Sequence, residues 1–191
     1  MIIVIVLLYF IYVFIMLVSS YLDKSFFNQS HFFYLIISTL IIVSNKKSSL
    51  SLKKSGKRLY FIYALTAIFF AFIVFFINHK SRFIGFYNLH LMDILKVCIL
   101  YPIMEELIFR FFWLDKFNHK YSILASILIS SLGFSISHFF SDIGLVYPFL
   151  FGILMSCLYL KFRNIYLCII FHVFYNSSIL FAGTFFDKII H

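Results

Sequence analysis

Leu91-Met-Asp-Ile-Leu-Lys-Val-Cys-Ile-Leu-Tyr-Pro102-Ile-Met-Glu105-Glu106-Leu-Ile-Phe-Arg110-Phe-Phe-Trp-Leu114 decides what kind of protein this is. The run is long and apolar enough to cross a bilayer's hydrocarbon core, which takes about 20 residues of helix. Near its middle it nevertheless holds two adjacent glutamates and an arginine. Each ionisable side chain at that depth costs about 2.5–3.5 kcal/mol on insertion scales. A chain that keeps them there has a use for them.

The rest of the chain extends this reading. Of its 191 residues, 63% are hydrophobic and 12% charged, and the mean hydropathy is +1.03. Soluble domains carry about 25% charged residues. Seven apolar runs are expected to span, over 1–19, 32–44, 59–78, 91–114, 122–140, 143–160 and 164–186, with a tight break near Ser141, Asp142 and Gly144. The predicted fold is all-α, a polytopic membrane helix bundle of about seven transmembrane helices. Barrel strands are excluded, because the runs are too long and do not alternate. Residues 1–90 read as N-terminal membrane helices without a recognised motif, and 91–191 as the functional core. Met1–Val18 has no basic residue before it and no small-residue cleavage site after it, so it reads as a retained span.

The net charge of +9 does not indicate a nucleic-acid partner, because its placement follows membrane topology. Lys46, Lys47, Lys53, Lys54, Lys57, Arg58, Lys116, Lys120, Lys161 and Arg163 fall on one side of the expected bundle. They outnumber Lys24, Lys80, Arg82 and Lys188 on the other. The richer side is expected to be cytoplasmic, which puts the N-terminus inside. The Phe-, Ile- and Lys-rich composition points to a low-GC bacterium, hence to a bacterial cell membrane and lipid bilayer as the surroundings. Cys98, Cys157 and Cys168 lie within apolar runs, form no CxxC pair, and read as small membrane hydrophobes. Asp93 and Lys96 stand near the start of their span, where they can snorkel. His79, His90 and His119 fall in expected loops.

Three segments carry chemistry. Glu106 and Arg110 are four apart with the acid N-terminal, the favoured order for an ion pair on a helix face. Glu105 points about 100° away and has no such local partner. Pro102 cannot donate to the carbonyl of Cys98, so the helix is expected to distort just before Glu105. The second segment is Phe134-Ser-Ile-Ser-His138, and the third is His172-Val-Phe-Tyr-Asn176, whose ends share a face. A single membrane histidine is more often a packing residue. Two histidines, a glutamate and an asparagine on separate spans converge because lipid offers none of them a partner. A carboxylate beside an imidazole can hold and deprotonate a water. A second imidazole and an amide can donate to an oxyanion. Glu105, His138 and His172 would alternatively serve as three zinc ligands with an open position, so a divalent metal is an option and not a requirement.

At these residues the sequence resembles the CAAX protease and bacteriocin-processing (CPBP/Abi) family of intramembrane endopeptidases. EExxxR, FxxxH and HxxxN stand in the family's order as Glu105–Arg110, Phe134–His138 and His172–Asn176, and the likeness covers about residues 98–180. The resemblance implies a membrane-embedded protease, in a family that carries a metalloprotease label, cleaving a peptide or protein substrate near the membrane surface. It implies that Glu105 activates water with His138, that His172 and Asn176 stabilise the oxyanion, and that Arg110 holds Glu106. Peptide or bacteriocin processing and self-immunity are the roles it suggests. Two other readings fit intramembrane Glu and His: a non-catalytic immunity or binding protein of the same fold, and a proton-coupled transporter. The transporter lacks the paired broken helices such proteins show in two halves.

Overall fold

The computed structural model describes residues 56–77, 91–138 and 144–190, except for the side chains of 76–77 and 185–190. The spans expected over 1–19 and 32–44, the break at Ser141 and Asp142, and the loop positions of His79 and His90 lie outside the described residues. So do the lysines and arginines from Lys24 to Lys54, Lys80 and Arg82, and the side chain of Lys188.

The described elements are all helical: α1 (Lys57–Ile77), α2 (Leu91–Leu95), π1 (Lys96–Leu100), α3 (Tyr101–Glu106), π2 (Leu107–Leu114), α4 (Asp115–Asn118), α5 (Ile123–Ser137), α6 (Val146–Phe162) and α7 (Ile165–Ile190). No strand occurs among the described residues. Lys57–Phe75 and Ile165–Thr184 are long and apolar enough to cross a membrane, and α5 and α6 are shorter apolar helices. The spans expected over 59–78, 91–114, 122–140, 143–160 and 164–186 each coincide with described helix to within a few residues. Only the fourth departs in kind: α3 is bounded on both sides by π-helix.

The chain divides into two compact units, one containing residues 107–152 and the other residues 56–106 and 153–190. The boundary runs between Glu106 and Leu107.

In the unit of residues 56–106 and 153–190, α1 packs along α7. Small residues bring them together: Ala64, Ala67 and Ala71 recur at helical spacing and are all buried. Phe70 of α1 meets Phe171 and Tyr175 of α7, with ring centroids 6.4 and 5.9 Å apart. On another face of α1, Phe61, Leu65 and Phe69 are 64%, 50% and 69% exposed. Large apolar side chains turned outward at helical spacing are what a lipid solvent selects. The α6–α7 turn is fixed by Asn164, fully buried, whose Oδ1 accepts from the Tyr166 N–H at 3.0 Å while Nδ2 donates to the Tyr60 hydroxyl at 3.1 Å. Arg163 takes up the left-handed backbone of this turn, at φ 49°.

In the unit of residues 107–152, Ser122 caps α5 by accepting from the Ala125 N–H. Ser130 Oγ donates to the Phe109 carbonyl of π2 at 2.7 Å. Gly133 lies against Trp113, where a Cβ would come within 2.5 Å of the indole Cζ3. Gly152 approaches Ser131 so closely that a Cβ would lie 3.0 Å from its Cα. Phe109 and Phe134 meet edge to face, with centroids 5.5 Å apart.

Candidate active site

Glu105 and Glu106 close α3, and their side chains leave the helix about 100° apart. α7 presents two adjacent faces. Phe171 and Tyr175 face Phe70 of α1, and His172 and Asn176, each one residue on, face α3 and π1. The same 3.6-residue period that packs one face on α1 therefore aims the other at the glutamates.

His172 is the centre of the group. Its Nδ1 lies 2.8 Å from Glu106 Oε1, and Glu106 is fully buried. Its Nε2 lies 3.7 Å from Glu105 Oε2. The His172 side chain is 4% exposed and that of Glu105 14%, so Glu105 is the more accessible carboxylate. An ionised Glu106 carboxylate can only accept, so it takes the Nδ1–H of His172, and in the neutral imidazole that tautomer presents a lone pair at Nε2. The 2.8 Å contact is a hydrogen bond, whereas 3.7 Å is too long for one. Asn176 Nδ2 donates to the Val97 carbonyl of π1 at 3.0 Å.

His138 and Arg110 belong to the unit of residues 107–152. His138 caps the C-terminus of α5. Its Nδ1 is 2.9 Å from the Phe134 carbonyl and 3.2 Å from Ser137 Oγ, and its ring lies against that of Phe134 at 4.6 Å. The Phe134 carbonyl only accepts, so this histidine too is protonated at Nδ1. Arg110 is fully buried, with its guanidinium 4.5 Å above the Phe134 ring and Nη2 3.4 Å from the Gly152 carbonyl. The F and H of FxxxH are thus one device: Phe134 orients His138 through its carbonyl and receives Arg110 on its ring.

The structure brings Glu105, Glu106, His172 and Asn176 together around α3, π1 and α7. The ion pair expected of Glu106 and Arg110 spans the unit boundary, and within its own unit Glu106 is held by His172. The resemblance pairs Glu105 with His138, which belongs to the other unit; within its own unit Glu105 has His172 Nε2 at 3.7 Å. Sequence reasoning missed the Val97 carbonyl, for which Pro102 was the available signal, and the Phe134 carbonyl, which the i,i+4 spacing to His138 foreshadows.

A catalytic zinc takes three protein ligands. Of the zinc ligands considered from the sequence, Glu105 and His172 belong to one unit and His138 to the other, and the Nδ1 contact of His172 with Glu106 leaves its Nε2 open to a metal as to a water.

Residues 86–178 match the family model described as type II CAAX prenyl endopeptidase Rce1-like. The match covers all three motifs, from Glu105 to Asn176. This segment belongs to the CAAX protease family. No curated protein and no solved structure matches the chain. At the level of the family, the match supports an integral membrane protease, and the apolar helices of the chain agree with that setting.

Proposed function

We propose that the chain is an intramembrane endopeptidase of the bacterial cell membrane that hydrolyses membrane-proximal peptides with a glutamate-activated water and no metal. The observation that carries this reading is that one imidazole has a carboxylate at each nitrogen: Glu106 at 2.8 Å on Nδ1 and Glu105 at 3.7 Å on Nε2. A water about 2.8 Å from both Glu105 Oε2 and His172 Nε2 closes a triangle on that 3.7 Å edge, with a hydrogen bond along each new side. The water's oxygen bonds to the scissile carbonyl carbon while one of its protons passes to Glu105. When the tetrahedral species collapses, the C–N bond breaks and Glu105 returns that proton to the leaving amine. Glu106 is a positioning residue, because it sets the tautomer and the tilt of His172, as the buried aspartate does in a serine-protease triad.

The family resemblance gives His172 to the oxyanion. The contact with Glu106 favours the opposite use, because an imidazole protonated at Nδ1 presents a lone pair at Nε2. His138 and Arg110 keep the roles that the resemblance implies, to be tested by substitution. An apolar groove of about 480 Å³, lined by Ile94, Leu95, Cys98, Ile99, Val173 and Phe174 among others, runs along π1 and α7. It supports a substrate with an apolar stretch next to the cleaved bond, such as a peptide processed during export or self-immunity.

The test is cleavage of a membrane-proximal peptide library by the wild type and by H172A in proteoliposomes, read by mass spectrometry. Cleavage by the wild type that H172A lacks supports the proposal. Folded wild-type protein that cuts nothing overturns it in favour of a non-catalytic immunity or binding protein.

A further inference from the structure

The hydrogen bond from Asn176 to Val97 has a cause in the backbone. In π1 the Tyr101 N–H donates to the Lys96 carbonyl, a step of five residues. One residue further along, the same step pairs the Val97 carbonyl with the nitrogen of residue 102. That residue is proline, which has no N–H to give. The acceptor at Val97 therefore loses its helical donor as a consequence of sequence, in a segment where lipid supplies no replacement. Asn176 Nδ2, arriving from α7, donates there at 3.0 Å.

The position matters for the site. Val97 and Pro102 lie in the turns that lead directly into Glu105 and Glu106. One turn before Asn176, on the same face of α7, His172 holds Glu106. α7 thus grips the motif helix at two levels, one in the carboxylates and one in the widened turn beneath them.

We infer that Asn176 is a positioning residue: its amide replaces the donor that Pro102 lacks, and so fixes the turn that carries Glu105. This differs from an oxyanion role, in which the amide acts on substrate. The two make opposite statements about Pro102. If Asn176 substitutes for a missing backbone N–H, restoring that N–H makes Asn176 dispensable. If Asn176 acts on substrate, the residue at 102 is irrelevant to it.

A double-mutant cycle over N176A, P102A and P102A/N176A separates them. The thermal midpoint in detergent needs no substrate and does not rest on the proposed function; cleavage, where the wild type cleaves, is the second readout. N176A is expected to lower the midpoint by several degrees and the cleavage rate more than 10-fold when Pro102 is present. In the P102A background both losses are expected to shrink, the second to under 3-fold. If N176A does not accumulate in membranes, accumulation of P102A/N176A supports the inference and failure of both overturns it. Equal losses in the two backgrounds also overturn it. E105Q is expected to abolish cleavage while leaving the thermal coupling of 102 and 176 intact, so a failure of the proposed chemistry is distinguishable from a failure of this inference.

Discussion

Glu106 Oε1 lies 2.8 Å from His172 Nδ1, with both groups buried in the α3–α7 contact. This bond turns two helices into one device. With Glu106 as acceptor, one nitrogen of the neutral imidazole is the donor and the other keeps its lone pair, directed toward the more accessible carboxylate of Glu105.

Glu106→Gln keeps the shape of the side chain but removes the charge that holds the His172 proton. Its amide can still accept from Nδ1–H, so folding should survive. The cleavage rate is expected to fall about 10- to 100-fold, mainly in kcat, because general-base chemistry contributes about 10²–10⁴-fold and its orientation would be blurred rather than lost. Glu106→Ala strands a buried nitrogen and should lower stability by about 1–3 kcal/mol, measured as the thermal midpoint in detergent.

His172→Gln removes the basic nitrogen beside Glu105. A loss of at least about 10²-fold in kcat, with KM little changed, is expected from steady-state cleavage of a good library peptide. A loss confined to KM would assign His172 to substrate binding instead.

Gly133→Ala tests the packing that supports the FxxxH segment. The new Cβ would meet Trp113 at 2.5 Å, and the indole is itself packed edge to face against Phe109 and Phe117. Overpacking of this kind costs about 1–3 kcal/mol, so the thermal midpoint should drop. Ser130→Ala, which removes the donor to the Phe109 carbonyl, should cost about 1 kcal/mol by the same measurement.

Chelation separates the proposed chemistry from a zinc mechanism. Purified protein treated with 1,10-phenanthroline and then freed of it should retain its full cleavage rate. Loss of activity that added zinc restores would assign the reaction to a metal.

Much of this was legible in the sequence, for identifiable reasons. Apolar runs report helices that face lipid, and α1 bears this out with Phe61, Leu65 and Phe69 turned outward. EExxxR, FxxxH and HxxxN report the family because polar groups at such depth are rare enough for their order to be specific. What the sequence did not disclose is relational. An i,i+4 spacing puts His172 and Asn176 on one face of α7 but does not say which carboxylate that face meets. Nor does apolarity encode backbone hydrogen-bond register, so the π-helix on both sides of Tyr101–Glu106 was invisible apart from Pro102. Glu106, assigned by spacing to Arg110, is held within its own unit by an imidazole 66 positions away in the chain.

Substitution of Glu105 by glutamine is the most direct test of the central claim. The exchange is isosteric, removes the proposed base and leaves the His172–Glu106 bond in place. Cleavage of a membrane-proximal peptide in proteoliposomes, quantified by mass spectrometry, should fall at least about 10²-fold while the thermal midpoint stays at the wild-type value. Cleavage at the wild-type rate by folded E105Q protein would contradict the account.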